Sequence, residues 1–168
     1  DEDFYFDDVY LLVEGYLYKL PKRTLIDHSE TFKDMFSVPQ SDSAPAEGSS
    51  KDHPIRLDQI ERTDFIPLLK ILFPRPQDPK LVASEWISVL KLSSFWMFDG
   101  VRESTIQVLK KHYAKDPIHS LELSMKYEIK DWMISSLSAL IVREEPIGTA
   151  DVDVVGIECA LRICQLRE

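Results

Sequence analysis

The sequence predicts an α+β fold: a small three-stranded sheet packed on a cluster of helices, with two or three further helices behind. Three observations carry that expectation. Two short apolar runs of strand length flank Glu14-Gly15. Beyond them, apolar residues recur at helical spacing almost to the end of the chain. Between the helical runs stands Ile55-Arg56-Leu57, a short strand able to pair with the opening hairpin.

The first strand is predicted at Val9–Val13. Val9, Leu11 and Val13 alternate there with Tyr10 and Leu12, so both faces are apolar and both are expected to be covered. Gly15 takes positive φ at little cost, which suits a tight turn into a second strand, Tyr16–Leu20. Pro21 has no backbone donor and ends that strand. Thr24-Leu25-Ile26 gives one or two helical turns. Ser29 is then placed to cap a second short helix, with Glu30 in its first turn. Phe32, Met35 and Phe36 fall at i, i+3 and i+4, three large apolar groups on one stripe.

From Ser37 to Pro54 the composition turns to Ser, Pro, Ala and charge without apolar periodicity, the pattern of a mobile surface loop. Thr63 and Asp64 can start the next helix, carrying Phe65, Leu68, Leu69 and Leu72, with Pro67 in or near its first turn. Pro74, Pro76 and Pro79 end it. The run Ala83–Met97 sets Trp86, Val89, Leu90, Ser93, Trp96 and Met97 on one face, and Asp99-Gly100 breaks it. Val101, Thr105, Val108, Leu109 and His112 carry a further helix with a basic end at Lys110 and Lys111. Asp116-Pro117 is a cap followed by Pro at the first helical position. Tyr127–Lys130 reads as a turn; Trp132, Ser136, Ala139 and Leu140 line the helix that follows, which Pro146 closes. Thr149 is expected to cap one last helix through Arg167. Its apolar residues cover more than half its circumference, so it is either deeply packed or covers a partner.

The stretch from Asp8 to Phe36 resembles the opening of a BTB/POZ domain, D-V-x-φ-x-V-x-G-x-x-φ-x-x-H-[KR]-x-x-L-x-x-x-S-x-x-F-x-x-M-F. Asp8, Val9, Val13, Gly15, Lys22, Leu25, Ser29, Phe32, Met35 and Phe36 occupy matching places, and Pro21 stands where many members have His. The later chain is similar to the C-terminal extension of fungal BTB proteins. Glu85-Trp86, Leu90, Trp96, Arg102, Ile106, Leu109, Asp116-Pro117, Tyr127, Trp132, Arg143, Pro146, Gly156 and Glu158 carry that likeness. The resemblance implies a BTB/POZ domain over residues 1–115 and a helical C-terminal extension over 116–168. It further implies a dimer built mainly from the first strand and the helix spanning Arg23–His28. Tyr10, Arg23, Leu25, Ile26 and His28 are then the candidate dimer face, since large apolar groups left outside a core mark interfaces. Asp8 and Lys22 match the pair that forms a charged pocket at the dimer cleft of BTB repressors. They read either as solvated or as a partly buried ion pair that helps set the groove.

Composition bounds the function. A chain of 168 residues is long enough for one domain with a helical appendix. A net charge of −9 argues against nucleic-acid binding and against docking on anionic membranes. Asp1-Glu2-Asp3, Asp7 and Asp8 form an acidic entry, read as solvated. No apolar run reaches the length of about eighteen residues that a membrane span needs, and no signal peptide is visible. The chain opens at Asp1 without Met, as a trimmed sequence would. Cys159 and Cys164 lie five apart in a helical run and point apart. They read as buried thiols of a reducing, intracellular setting, cytoplasmic or nuclear.

Catalytic patterns are missing from the sequence: no G-x-x-x-x-G-K-[ST], no G-x-G-x-x-G after a strand, no G-x-S-x-G, no H-E-x-x-H. The four histidines do not cluster with the cysteines at zinc spacing. Asp27-His28-Ser29 holds the letters of a triad, but neighbours on a helix diverge by about 100°. His112 reads as a core or boundary residue, and Trp86, Trp96 and Trp132 as packing anchors. Neither an enzyme nor a cofactor or metal site is expected. The expected function is protein–protein interaction: self-association, here as a homodimer, and recruitment of a protein partner. The narrower alternative is a substrate adaptor of a cullin-RING ubiquitin ligase. The usual aromatic-Thr-Gly is replaced by Phe73-Pro74-Arg75, which weakens that alternative.

Overall fold

A computed structural model describes residues 7–38 and 45–167 of the chain. Strands β1 (Asp8–Val13) and β2 (Tyr16–Pro21) form the hairpin. Glu14 at φ 47 and Gly15 at φ 79 both take positive φ, the type I′ geometry that matches the twist of the flanking strands. The two-residue turn fixes the register, setting Leu11 opposite Tyr18 and Leu12 opposite Leu17. Strand β3 (Ile55–Arg56) pairs in parallel with β1, which makes β1 the centre of a β2-β1-β3 sheet. Val9, Leu11 and Val13 are buried, but Tyr10 and Leu12 are only half-buried. The expectation of a strand covered on both faces fails because the second face meets Leu17, Lys19 and Arg56 rather than another layer.

Two short helices follow, α1 (Lys22–His28) and α2 (Glu30–Ser37). Ser29 caps α2, its hydroxyl accepting from the Phe32 N–H at 3.1 Å. Phe32 is buried and packs against Phe36, Trp96 and Phe98, with ring centroids 5.4–5.9 Å apart. Met35, expected on the same stripe, is exposed.

Helices α3 (Arg62–Leu72), α4 (Ala83–Phe95) and α5 (Asp99–His112) complete the first half. Pro67 lies in the second turn of α3, not the first, and cannot donate to the Thr63 carbonyl. Helix α4 stops before Asp99-Gly100. Met97, expected on its apolar face, is exposed at φ 54. The Phe98 N–H bonds back to the Ser93 carbonyl at 2.9 Å, so Met97 fills the left-handed place of a Schellman motif. Asp99-Gly100 opens α5 instead of ending α4. The core of this half holds Val9, Leu11, Leu25, Phe32, Phe65, Leu68, Val89, Leu92, Trp96 and Phe98.

The chain divides into two compact units, residues 1–106 and 107–168. The second contains α6 (Pro117–Lys126), α7 (Lys130–Val142), α8 (Thr149–Val155) and α9 (Ile157–Arg167). Asp116 caps α6 ahead of Pro117, accepting from the His119 N–H at 3.2 Å. Ile118, Leu121, Leu140 and Ile163 form this unit's core. The single last helix expected from Thr149 is two helices, broken at Gly156 with φ 82. Gly148, not Thr149, is the cap residue of α8. His112, Ala139 and Cys164 are exposed and Cys159 is half-buried, so neither the expected core or boundary histidine nor a pair of buried thiols is found.

Candidate functional site

The half-open face of the sheet is built from alternate residues of three strands. Leu12 and Leu17 meet across the β1–β2 ladder, one pair from the turn, with Tyr10 beside them; Leu17 is 45% exposed. Charged residues border this strip. Lys19, opposite Tyr10, pairs with Asp8 at 2.8 Å, which raises the Lys19 pKa above its usual value. Arg56, beside Leu12, lies 3.5 Å from Asp58. On the opposite face of the hairpin, which carries the buried Leu11 and Val13, the Arg62 guanidinium stacks 4.0 Å over the exposed Tyr16 ring, and its Nε donates to the Tyr18 hydroxyl at 3.2 Å. The Arg62 N–H donates to the Glu14 carboxylate at 2.8 Å, so a turn side chain satisfies a free donor at the start of α3.

Helix α1 packs against β1. Arg23 and His28 are exposed on it, Arg23 lying 3.5 Å from Asp27, and Ile26 is half-buried. Leu25 does not join that surface: it is 2% exposed and belongs to the core, because α1 turns this side chain toward Val9, Leu11 and Phe32. Of the expected dimer face, Tyr10, Arg23, Ile26 and His28 reach the surface in whole or part, and Leu25 does not.

Asp8 and Lys22 line one cleft of about 460 Å³ together with Val9, Phe36 and Gly48. They are not each other's ion-pair partners. Asp8 is taken by Lys19, and the Lys22 ammonium sits 4.6 Å over the Phe36 ring, a cation–π contact. The far wall of the cleft comes from the Ser/Pro-rich segment, of which residues 39–44 lie outside the described residues. Its described part has structure of its own. Gly48, at φ 81, accepts from the Tyr10 N–H at 2.9 Å and donates to the His53 carbonyl at 2.7 Å. The acidic entry before Asp7 is likewise outside the described residues.

Asp27-His28-Ser29 is not assembled for catalysis. Ser29 is buried and spends its hydroxyl on two backbone groups, while Asp27 and His28 face outward. Among the described residues no group of three His, Cys, Asp or Glu is placed to hold a metal ion. No helix among them is long and apolar enough to cross a membrane. Leu12, Leu17 and Arg56 were not anticipated from the sequence as surface-forming residues. The signal was there, since a two-residue turn at Glu14-Gly15 forces Leu12 opposite Leu17.

No curated protein matches the chain. A family model, described as BTB/POZ domain, matches residues 2–113, well over half of the 168. The hairpin, the parallel third strand and helices α1–α5 thus lie within the matched region, and the chain belongs to the BTB/POZ domain family, whose domain is a protein–protein interaction module.

Proposed function

We propose that this chain is a non-catalytic module that forms a homodimer and recruits a protein partner through the open face of its sheet and the exposed flank of α1. The observation that carries the reading is the Leu12–Leu17 pair: an apolar patch left accessible beside the charged Asp8, Lys19 and Arg56, the anatomy of an interface core and rim. Tyr10 adds an aromatic anchor, and Arg23, Ile26 and His28 extend the surface along α1. Asp8 and Lys22 border a cleft in which a partner side chain can compete for the carboxylate that Lys19 holds. Adaptor duty on a cullin scaffold is the narrower reading, and Phe73-Pro74-Arg75 after α3 weighs against it.

Sedimentation velocity over a concentration series tests the proposal. The unaltered chain is expected to sediment as a dimer, and Leu17→Asp as a monomer with an unchanged circular dichroism spectrum. A chain that stays monomeric at tens of micromolar, or a Leu17→Asp variant that dimerises as before, overturns it. Pull-down with a cullin N-terminal fragment decides the adaptor question separately.

A further inference from the structure

We propose that the outer edge of β2 takes an extended segment of another protein as an added, antiparallel strand. That segment carries an acidic residue and, two places later, a large apolar one. It is the partner recruited at the sheet in the reading above and rests on that half of it; a homodimer is not required.

The register decides which backbone groups of the hairpin face out. In β1 the Tyr10 N–H donates to the Gly48 carbonyl at 2.9 Å, and the Leu12 carbonyl accepts from the Leu57 N–H at 2.9 Å, both on the side away from β2. Val9, Leu11 and Val13 therefore make the ladder bonds to β2, where they face Leu20, Tyr18 and Tyr16. Leu17 and Lys19, opposite Leu12 and Tyr10, turn their N–H and C=O groups outward. Among the described residues no strand lies on that side, since β2 ends the β2-β1-β3 order. Pro21 closes the edge: it has no N–H, and as the cap residue of α1 its carbonyl belongs to the helix. Two donors and two acceptors at strand spacing remain. An extended backbone satisfies both kinds at once.

The side chains set what that backbone carries. Lys19 is 56% exposed, and its ammonium, with three donors, spends one on Asp8 at 2.8 Å. A carboxylate directly opposite on the added strand reaches the others. Leu17 is open on the same face next to Leu12, so an apolar residue two places along the added strand extends that strip outward. Between the two, on the other face, the added strand meets the half-buried Tyr18 ring and the exposed Tyr16 ring, a setting for a β-branched side chain. An antiparallel strand passes Lys19 before Leu17, which fixes the order, and antiparallel pairs are the more stable per residue. A second copy of β2 is a poorer occupant. In the antiparallel register that engages both residues, the two Lys19 side chains lie diagonally across from each other, like charges within reach.

The probe is the capped peptide Ser-Thr-Glu-Val-Leu-Thr-Ser, titrated into the full chain at low salt. Binding is expected to shift the Leu17 and Lys19 amide resonances. It also slows exchange of these two N–H groups, about tenfold when about nine-tenths of the chain is bound. N-methylation of the peptide at Glu or at Leu, whose N–H groups face β2, weakens binding about tenfold or more; at Val, whose N–H faces away, the change stays under about threefold. Replacing the peptide's Glu by Lys weakens binding several-fold. In the chain, Lys19→Pro leaves the β1–β2 ladder bonds in place, because the Lys19 N–H is not among them, and removes a donor of the edge. Binding is then lost while the circular dichroism spectrum is unchanged. No binding up to about a millimolar, N-methylation that acts alike at Val and Leu, or a folded Lys19→Pro chain that binds as before overturns the inference. So does protection of the Leu17 and Lys19 amides that rises with chain concentration and needs no peptide, which assigns the edge to a second copy. A chain that is monomeric in sedimentation yet binds the peptide in this way loses the homodimer and keeps the added strand; a dimer that does not bind it does the reverse.

Discussion

The hydroxyl of Ser29 donates a 2.5 Å hydrogen bond to the carbonyl of Trp96, sixty-seven residues along the chain, while accepting from the N–H of Phe32. One small side chain thus closes the start of α2 and the end of α4 together, at a place that is almost completely buried. Ser29→Ala removes the cap and leaves a buried carbonyl without a partner, losses that together cost about 2–3 kcal/mol. Urea unfolding followed by tryptophan fluorescence measures it. A loss under about 0.5 kcal/mol, the level of an ordinary surface substitution, shows that the bridge between α2 and α4 contributes little.

Met97 and Glu128 hold the left-handed positions after α4 and α6, both at φ 54, where glycine is the usual occupant. Each side chain is exposed, so little packing is lost on removing it. Met97→Gly and Glu128→Gly should each stabilise the chain, by about 0.5–1 kcal/mol, because relief of left-handed strain outweighs the extra freedom gained by the unfolded chain. A lower unfolding midpoint for both variants contradicts this account of the two helix ends.

These two helix ends also mark where the sequence stopped being informative. The hairpin was legible because Glu14-Gly15 sits between two strand-length apolar runs, and Ser29 because a hydroxyl precedes Glu30 and an apolar stripe. Local chemistry settles such features. Met97 was misplaced on the face of α4 because apolar spacing continues through it, and nothing local says that the backbone reverses hand there. Gly156 lay hidden in the same way inside an unbroken apolar period, although a glycine before Ile157-Glu158 is a plausible stop. Leu25 and Ile26 are neighbours of equal hydrophobicity. Which of them faces the core depends on how α1 rests on β1, a tertiary fact that no window of sequence contains. The Asp8–Lys19 pairing has the same origin: the ladder register brings Lys19 close enough to take the carboxylate, whereas Lys22 leaves in the first turn of α1.

Gly48 offers a sharper test of the cleft beside Asp8. A Cβ placed on it meets Val9 Cγ2 at 2.8 Å and Ile55 at 3.0 Å, and its φ of 81 is already costly for any other residue. Gly48→Ala should therefore destabilise the chain by about 2–4 kcal/mol, combining left-handed strain with overpacking against β1 and β3. Gly100→Ala is the matched control. That glycine lies in the first turn of α5 with open space around its Cβ position, and alanine there should be neutral or stabilising by up to about 1 kcal/mol. Equal losses in the two variants rule out the close approach of Gly48 to the sheet as the cause.

In the second unit the carboxylate of Asp151 accepts from the Arg143 guanidinium at 2.6 Å and from the Gly148 N–H at 3.0 Å. The Arg143 contact, and after it the Gly148 bond, hold the Asp151 pKa below its ordinary value of 3.8. Arg143 is itself anchored, donating to the Pro146 carbonyl, while Arg167 reaches the Arg143 carbonyl. A carboxyl whose folded pKa is depressed adds stability that is fully present above its unfolded pKa and is lost as pH falls through the folded value. Asp151→Asn keeps an acceptor for Gly148 but removes the charge, so at pH 7 it should be less stable by about 1–2 kcal/mol. On acidification the original chain loses this contribution and the variant has none to lose, so the two stability curves should converge below about pH 4. Urea midpoints taken from pH 7 down to pH 2.5 measure the gap. A gap that stays constant over that range means that the charge on Asp151 does not hold α8 to the end of α7.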